Sequence, residues 1–298
     1  MIIDNGTDSV SITRWSRLSA LYPKQWVKNV LVFAAPAAAA QLGTGTAVEL
    51  TFTFVMMTCA AIGTYFINDV CDVEEDRLHP IKRHRPVASG SVSTRTAAVV
   101  GVLLMTCAIV GAAVVVNQRT ACVIGVYVIV MTLYNLALRR IAFLDLAIVS
   151  SGFMLRAYAG ATAVSIPVSV TFIGVVGCGA LLLVAGKRLA ELSAFGADGV
   201  RGRRPTLERY SPTTLWTIVT AATVGTALCY LTWVSTSHLN HATVQVVSFL
   251  IVSVVLGRYL MRLRSGEGEA PEDLLYRDRV IQVSAIAWGI LFAVAVYG

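Results

Sequence analysis

Residues 47–76 read AVELTFTFVMMTCAAIGTYFI followed without a break by NDVCDVEED. The first part, Ala47 to Ile67, is an apolar run that at about 1.5 Å of helical rise per residue reaches about 30 Å, the thickness of a bilayer's hydrocarbon core. The second part, Asn68-Asp69-Val70-Cys71-Asp72-Val73-Glu74-Glu75-Asp76, places acids where that run leaves the membrane. At about 100° per residue, Asp69, Asp72 and Asp76 fall within about 60° of one another on a helix, with Asn68 on the flank. They form one acidic edge, and carboxylates at a membrane rim are candidates to hold a cation. Arg77, Lys82, Arg83 and Arg85 follow at once, the juxtaposition a metal-bound polyphosphate requires. The plainer alternative is a solvated helix end; against it, acids add nothing to membrane topology, yet three share one edge.

Composition agrees with a membrane chain. Of the 298 residues 56% are apolar and 14% charged, and the mean hydropathy is +0.71, values outside the range of soluble domains. Polar breaks leave about nine spans: Val27 to Ala40, Ala47 to Ile67, Thr96 to Val116, Ala121 to Leu138, Phe143 to Val164, Val168 to Ala185, Thr213 to Ser235, Val244 to Leu260 and Val280 to Tyr297. None alternates as a barrel strand does, so the expected fold is an all-α polytopic helix bundle. The spans fill the chain without a soluble insert or repeat, giving a single domain over 1–298 with active-site loops at 68–95 and 186–212.

With the amino terminus inside, every Lys and Arg except Arg119 and Arg156 falls on the cytoplasmic side, and an odd number of spans leaves the carboxyl terminus outside. The expectation is a multi-pass protein of the inner (plasma) membrane with its site on the cytoplasmic face. The net charge of +7 follows from those helix ends and their anionic lipid neighbours, so no nucleic-acid partner is implied. The first residues lack the apolar core and cleavage site of a signal peptide. Six cysteines stand singly, without metal spacing, and neither disulfides nor zinc is indicated. Exposed apolar helix faces leave a homo-oligomer open.

Other groups fall on the same side. Leu78 to Gly90 carries Lys82, Arg83, His84 and Arg85 among two prolines and a glycine, which predicts an ordered loop rather than more helix. Topogenic charge explains some of those cations; phosphate contact explains their closeness to the acids. Gly186-Lys187-Arg188-Leu189-Ala190-Glu191 ends the sixth span, where Lys187 and Glu191 at i, i+4 suit an ordinary ion pair or a second part of the site. Pro23-Lys24-Gln25-Trp26-Val27-Lys28-Asn29 reads as an interfacial anchor whose Lys24 and Lys28 share a face and have phosphate within reach. Arg156 lies inside a span, with Asp145 eleven residues earlier on nearly the same face. It serves either as a polar contact between helices or as the lining of an anionic headgroup cavity. Tyr65 and Tyr134-Asn135 offer hydroxyl and amide contacts, with packing as the plainer role. Glu267 to Asp273 and Arg277-Asp278-Arg279 read as capping and solvated groups.

Asn68-Asp69-x-x-Asp72-x-x-x-Asp76 with its basic loop resembles the first aspartate-rich motif of the UbiA superfamily of intramembrane prenyltransferases. Pro-Lys-Gln-Trp-Val-Lys-Asn, Lys-Arg-x-Arg-Pro and Leu155-Arg156-Ala157-Tyr158-Ala159-Gly160 are similar to the same superfamily, over nearly the whole chain. A second aspartate-rich motif expected at the end of span six is absent, and Gly-Lys-Arg-Leu-Ala-Glu stands there. That departure, with Pro271-Glu272-Asp273-x-x-x-Arg277-Asp278-Arg279-Val280, is similar to the phosphoribosyl-transferring branch that serves actinobacterial cell-wall synthesis. The resemblance implies transfer from phosphoribosyl pyrophosphate to decaprenyl or another polyprenyl phosphate, releasing pyrophosphate and making an arabinan precursor. It implies Mg²⁺ as cofactor at Asn68, Asp69, Asp72 and Asp76. It further implies diphosphate and 5-phosphate contacts from Lys82, Arg83, Arg85, Lys187 and Arg188, orienting roles for Arg77 and Glu191, and acceptor guidance by Lys24, Lys28 and Arg156. The rivals are a prenyltransferase acting on aromatic quinone precursors and, from another class, a multispan lipid transporter or scaffold. A transporter predicts charge through the membrane depth and inverted halves, neither of which is visible here.

Overall fold

Ten helices make up most of the computed structural model, which describes residues 27–80, 82–194, 206–236, 242–266 and 277–297. They are α1 (Val27–Ala38), α2 (Ala47–Cys71), α3 (Val73–Leu78), α4 (Thr94–Val116), α5 (Gln118–Leu136), α6 (Leu144–Ala163), α7 (Val170–Ala194), α8 (Pro212–Thr236), α9 (Ala242–Arg264) and α10 (Arg279–Tyr297). Short polar residues open many of them by accepting a free first-turn N–H: Ser93 from Thr96 at 3.0 Å, Asn117 from Thr120 at 2.8 Å, Ser169 from Phe172 at 3.1 Å and Ser211 from Thr214 at 3.0 Å. Each such cap is worth about 1 kcal/mol. Pro212 adds a first residue already fixed in φ.

Seven of these helices, α2, α4, α5, α7, α8, α9 and α10, are long and apolar enough to cross a membrane. Of the about nine spans expected, the other two correspond to the shorter apolar α1 and to α6, which carries Asp145 and Arg156. The all-α membrane bundle is therefore the fold, and no strand occurs among the described residues.

Helices pack mainly on their chain neighbours, α2 on α4, then α5 to α10 in order, while α6 also touches α1 and α2. With lipid as apolar as a leucine side chain, close packing rather than water exclusion holds such pairs together. Gly63 and Gly101 let α2 and α4 meet: a Cβ on Gly63 would lie 2.7 Å from the Gly101 carbonyl oxygen. Gly160 lets α6 reach α1 more closely still, since its Cβ would lie 1.7 Å from the Val32 carbonyl oxygen. At the far side Ala35, Ala157, Phe172, Trp233 and Phe292 join α1, α6, α7, α8 and α10 in one apolar cluster. Tyr297 Oη closes the arrangement, accepting from Leu42 N at 3.2 Å and donating to Ala37 O at 3.4 Å.

Arg156 is 4% exposed. Its Nε donates to Asn29 Oδ1 at 2.7 Å, Nη1 to Gly152 O at 2.8 Å and Nη2 to Tyr127 Oη at 2.8 Å. Asn29 Nδ2 in turn donates to Thr58 Oγ1 at 3.0 Å. This network joins α1, α2, α5 and α6 as a polar contact between helices. Asp145 does not share it, despite the common face on a helical wheel, because it lies three turns away at the start of α6 and has partners of its own.

At the α9–α10 joint, Asp278 accepts from Arg258 Nε at 2.9 Å and Arg262 Nε at 2.6 Å, and caps α10 through Val280 N at 3.0 Å and Ile281 N at 3.3 Å. Burial alone would push this carboxyl up; the Arg262 and Ile281 hydrogen bonds and Arg258 override it and hold the group down at about 2. An unfolded Asp titrates near 3.9, so the tie is fully present above about pH 4 and is lost as pH falls through about 2. Hydrogen exchange at the start of α10 is expected to speed up across that window in the native chain, and Asp278→Asn is expected to flatten the response.

Candidate active site

The acidic edge survives in the fold. Cys71 ends α2 and Val73 begins α3, but the helical hydrogen bonds run on, from Asp72 N to Asn68 O at 2.9 Å and from Asp76 N to Asp72 O at 2.8 Å. Asp69 is 6% and Asp76 3% exposed, and both carboxylates converge on one nitrogen, Arg85 Nη1, at 3.0 and 2.8 Å. Asp72 faces a second cation: Arg139 Nη1 donates to its Oδ1, while Asn68 Nδ2 donates to its Oδ2 at 3.0 Å.

Arg85 is positioned by the loop the prolines and glycine predicted. Arg85 N donates to Lys82 O at 2.9 Å, Ser89 N to Arg85 O at 2.8 Å, Ser91 Oγ to Pro86 O at 3.0 Å and Arg77 Nε to Ala88 O at 3.3 Å. Buried Val87 seats the loop against Phe66 of α2 and Ala97 of α4, and Gly90, at φ +77°, supplies its left-handed turn. His79 Nδ1 accepts from Lys82 N at 3.3 Å, as only a neutral imidazole can. Burial, and then the charge of Lys82, lowers its pKa and favours that form.

A second buried cluster lies where α6, α7 and α8 meet. Asp145, 1% exposed, accepts from Arg188 Nε at 3.2 Å and from Tyr210 Oη; Arg188, 3% exposed, also donates to Glu191 Oε2 at 3.1 Å. Tyr210 Oη accepts from Phe143 N at 2.7 Å, and its ring meets the Phe143 edge at 5.2 Å. Phe143 sits at φ +66°, where an aromatic residue is strained. Burial, and then the bond to Asp145, raises the Tyr210 pKa. Removing one partner from a buried ion pair of this kind costs about 3–5 kcal/mol, so the cluster fixes the turn between α5 and α6 that carries Arg139.

The structure thus brings Asp69, Asp76 and Arg85 together, and Asn68 and Asp72 beside them with Arg139. Arg77 pairs with Glu74 at 2.9 Å on the exposed side. Lys82 and Arg83 lie on the 3-10 turn Lys82–His84. Tyr65 packs with the Met57, Ala61 and Tyr127 cluster. Tyr134 is buried near the end of α5, where Asn135 Nδ2 donates to Thr64 O at 2.9 Å. Lys28 stands on α1 next to Asn29, and Lys187 is partly exposed at the end of α7 beside the ion-paired Arg188 and Glu191. Lys24, residues 195–205 of the expected 186–212 loop and the Glu267 to Asp273 segment lie outside the described residues. Among the described residues no three His, Cys, Asp or Glu side chains form a group able to hold a metal ion unaided. Sequence reasoning missed Arg139 and Tyr210. Arg139 carried one available signal, its place on the acidic side four residues after Asn135, but topogenic charge accounted for it.

The UbiA prenyltransferase family model matches residues 29–276. The chain is 37% identical over 288 residues to decaprenyl-phosphate phosphoribosyltransferase of Corynebacterium glutamicum, covering 94% of this chain and 86% of that protein. It is 37% identical over 278 residues to the protein of the same name from Mycobacterium tuberculosis, covering 91% of each. Among solved structures, a UbiA homologue from Archaeoglobus fulgidus bound to GPP and Mg²⁺ superposes with a TM-score of 0.70 at 16% identity, over 95% of this chain and 98% of that one. A helix bundle matched along nearly its whole length, with an aspartate-rich edge and basic loop at one membrane face, leaves one assignment: the chain belongs to the UbiA prenyltransferase family.

Proposed function

We propose that the protein transfers the 5-phosphoribosyl group of phosphoribosyl pyrophosphate to decaprenyl or another polyprenyl phosphate, releasing pyrophosphate, at the cytoplasmic face of the plasma membrane. The observation that carries this reading is the 37% identity, over more than nine-tenths of the chain, to proteins named for that transfer. Lys187, partly exposed at the end of α7 where a second carboxylate motif is expected, agrees with a donor that bears an additional phosphate. The concentration of Lys and Arg on the acidic side supports the orientation.

The residues fit Mg²⁺. Mg²⁺ takes hard oxygen ligands, one or two of them from protein carboxylates and the rest from phosphate and water. Asp69 and Asp76 present two carboxylates to one cationic nitrogen at 3.0 Å or less, so a positive centre already bridges them. Those two would hold the ion, with Asp72 and Asn68 adjacent to complete its surroundings. When bound, the metal supplies positive charge to the leaving pyrophosphate.

The chain's own groups do the rest. Arg85, Lys82, Arg83 and Lys187 bind diphosphate and 5-phosphate oxygens, in contacts that strengthen as the ribosyl C1–O bond breaks and negative charge gathers on the leaving group. A phosphate oxygen of the lipid acceptor forms the new bond to C1. That acceptor is already an anion near neutral pH, so Lys28 at the mouth of α1 has to position it rather than deprotonate it. Arg188, Glu191 and Asp145 shape the α7 end without touching substrate, and Arg156 holds α1 in place. The prenyl tail lies along apolar helix faces.

Purified protein given labelled phosphoribosyl pyrophosphate, Mg²⁺ and polyprenyl phosphate is expected to form labelled lipid. Product only from a prenyl diphosphate with an aromatic acceptor would overturn the proposal in favour of prenyl transfer.

A further inference from the structure

Each carboxylate of the acidic edge already has a guanidinium on it. Arg85 Nη1 bridges Asp69 and Asp76 at 3.0 and 2.8 Å, and Arg139 Nη1 donates to Asp72. The two arginines come from different places, one from the loop after α3 and the other from the turn Leu138–Arg140 between α5 and α6. Both side chains keep an open edge, Arg85 at 33% and Arg139 at 16% exposure. A divalent ion arriving alone has to displace these cations from the carboxylates that hold them. A divalent ion arriving with a diphosphate brings replacement oxygens, which suit a guanidinium fork at least as well as a carboxylate does.

We propose that Arg85 and Arg139 are internal counter-ions that hold Asp69, Asp72 and Asp76 until a metal-bound diphosphate arrives, and then transfer to its phosphate oxygens, so that metal and diphosphate bind as one coupled event. The three carboxylates and two guanidiniums leave about one net negative charge, which a metal-bound diphosphate changes less than a bare metal does. Bare metal binds weakly, and by linkage the diphosphate gains from the metal as much as the metal gains from it. The proposal rests on the metal-diphosphate reading of the site and adds to it both a role for Arg139 and a direction of effect.

The test uses the full chain in lipid nanodiscs, with Mn²⁺ binding followed by electron paramagnetic resonance and labelled pyrophosphate retention measured in the presence of Mn²⁺. Arg139→Gln is expected to bind Mn²⁺ alone about tenfold more tightly than the native protein, and pyrophosphate with Mn²⁺ about tenfold more weakly. Arg139→Lys, which keeps the charge, is expected to stay nearer native behaviour in the first measurement. Arg85→Gln tests the other arginine with the same expected signs and serves if Arg139→Gln fails to fold. An ion pair that only braces the fold would not move the two affinities in opposite directions. Bare Mn²⁺ binding that is unchanged or weaker in both glutamine variants would overturn the proposal while leaving the metal site standing. No Mn²⁺ binding in any arm, with or without pyrophosphate, would remove both.

Discussion

Replacing Asp72 with alanine is expected to lower phosphoribosyl transfer about a thousandfold or more while leaving a folded bundle. The size follows from what is lost: Asp72 places the positive charge that meets the leaving pyrophosphate, one such pre-placed contact is worth about a hundred- to a thousandfold in rate, and Asp72 contributes in two ways. It stands beside the Asp69–Asp76 pair as a carboxylate, and it orders Asn68 and Arg139. Folding is expected to survive because the residue sits at the junction of α2 and α3, with 14% of its side chain exposed. Its neighbours can turn to water there. The check is lipid product per protein, alongside a thermal melt in the same detergent. Near-native turnover in a well-folded variant would take Asp72 out of the chemistry.

Gly160→Ala is expected to have the largest effect on stability, about 3 kcal/mol or more. The added Cβ would lie 1.7 Å from the Val32 carbonyl oxygen and 2.6 Å from its carbon, so the obstacle is backbone on a packed helix rather than a pliable side-chain tip. Only a shift of α1 away from α6 relieves it. That shift draws Asn29 off Arg156 and leaves a guanidinium in the membrane short of an acceptor. Melting temperature and activity are expected to fall together, the latter because Lys28 moves with α1. Gly125→Ala on α5, where a Cβ meets nothing within 4 Å, is the control and is expected to be neutral or slightly stabilising. A Gly160→Ala protein as stable as the control would mean that α1 does not press on α6 as closely as described.

The spans and the acidic edge were legible because they depend on neighbours in sequence. Hydrophobic length sets Ala47–Cys71, and helical phase puts Asp69 and Asp76 on one side. Side-chain partners across the bundle were not legible. Helical phase paired Asp145 with Arg156, yet the fold gives Asp145 to Arg188, 43 residues away, and to Tyr210, 65 away. Likewise Glu191 accepts from Arg188 at i, i+3, although Lys187 at i, i+4 fitted the helix rule equally well. Arg139 escaped notice because a cation at the inner end of a span needs no further explanation than topology. Only the meeting of α5 with α2 puts it on Asp72.

The contact of Tyr297 with Leu42 and Ala37 has a consequence for biogenesis. Since consecutive helices lie side by side, the chain can partition into the bilayer pair by pair as it leaves the ribosome. The Tyr297 bonds join α10 to the end of α1 and the loop after it, so they form only once α10 itself has been inserted. Until then that edge of the bundle lacks its polar clasp, and a Tyr297→Phe chain is left to close it with the apolar packing of Ala35 and Phe292 alone.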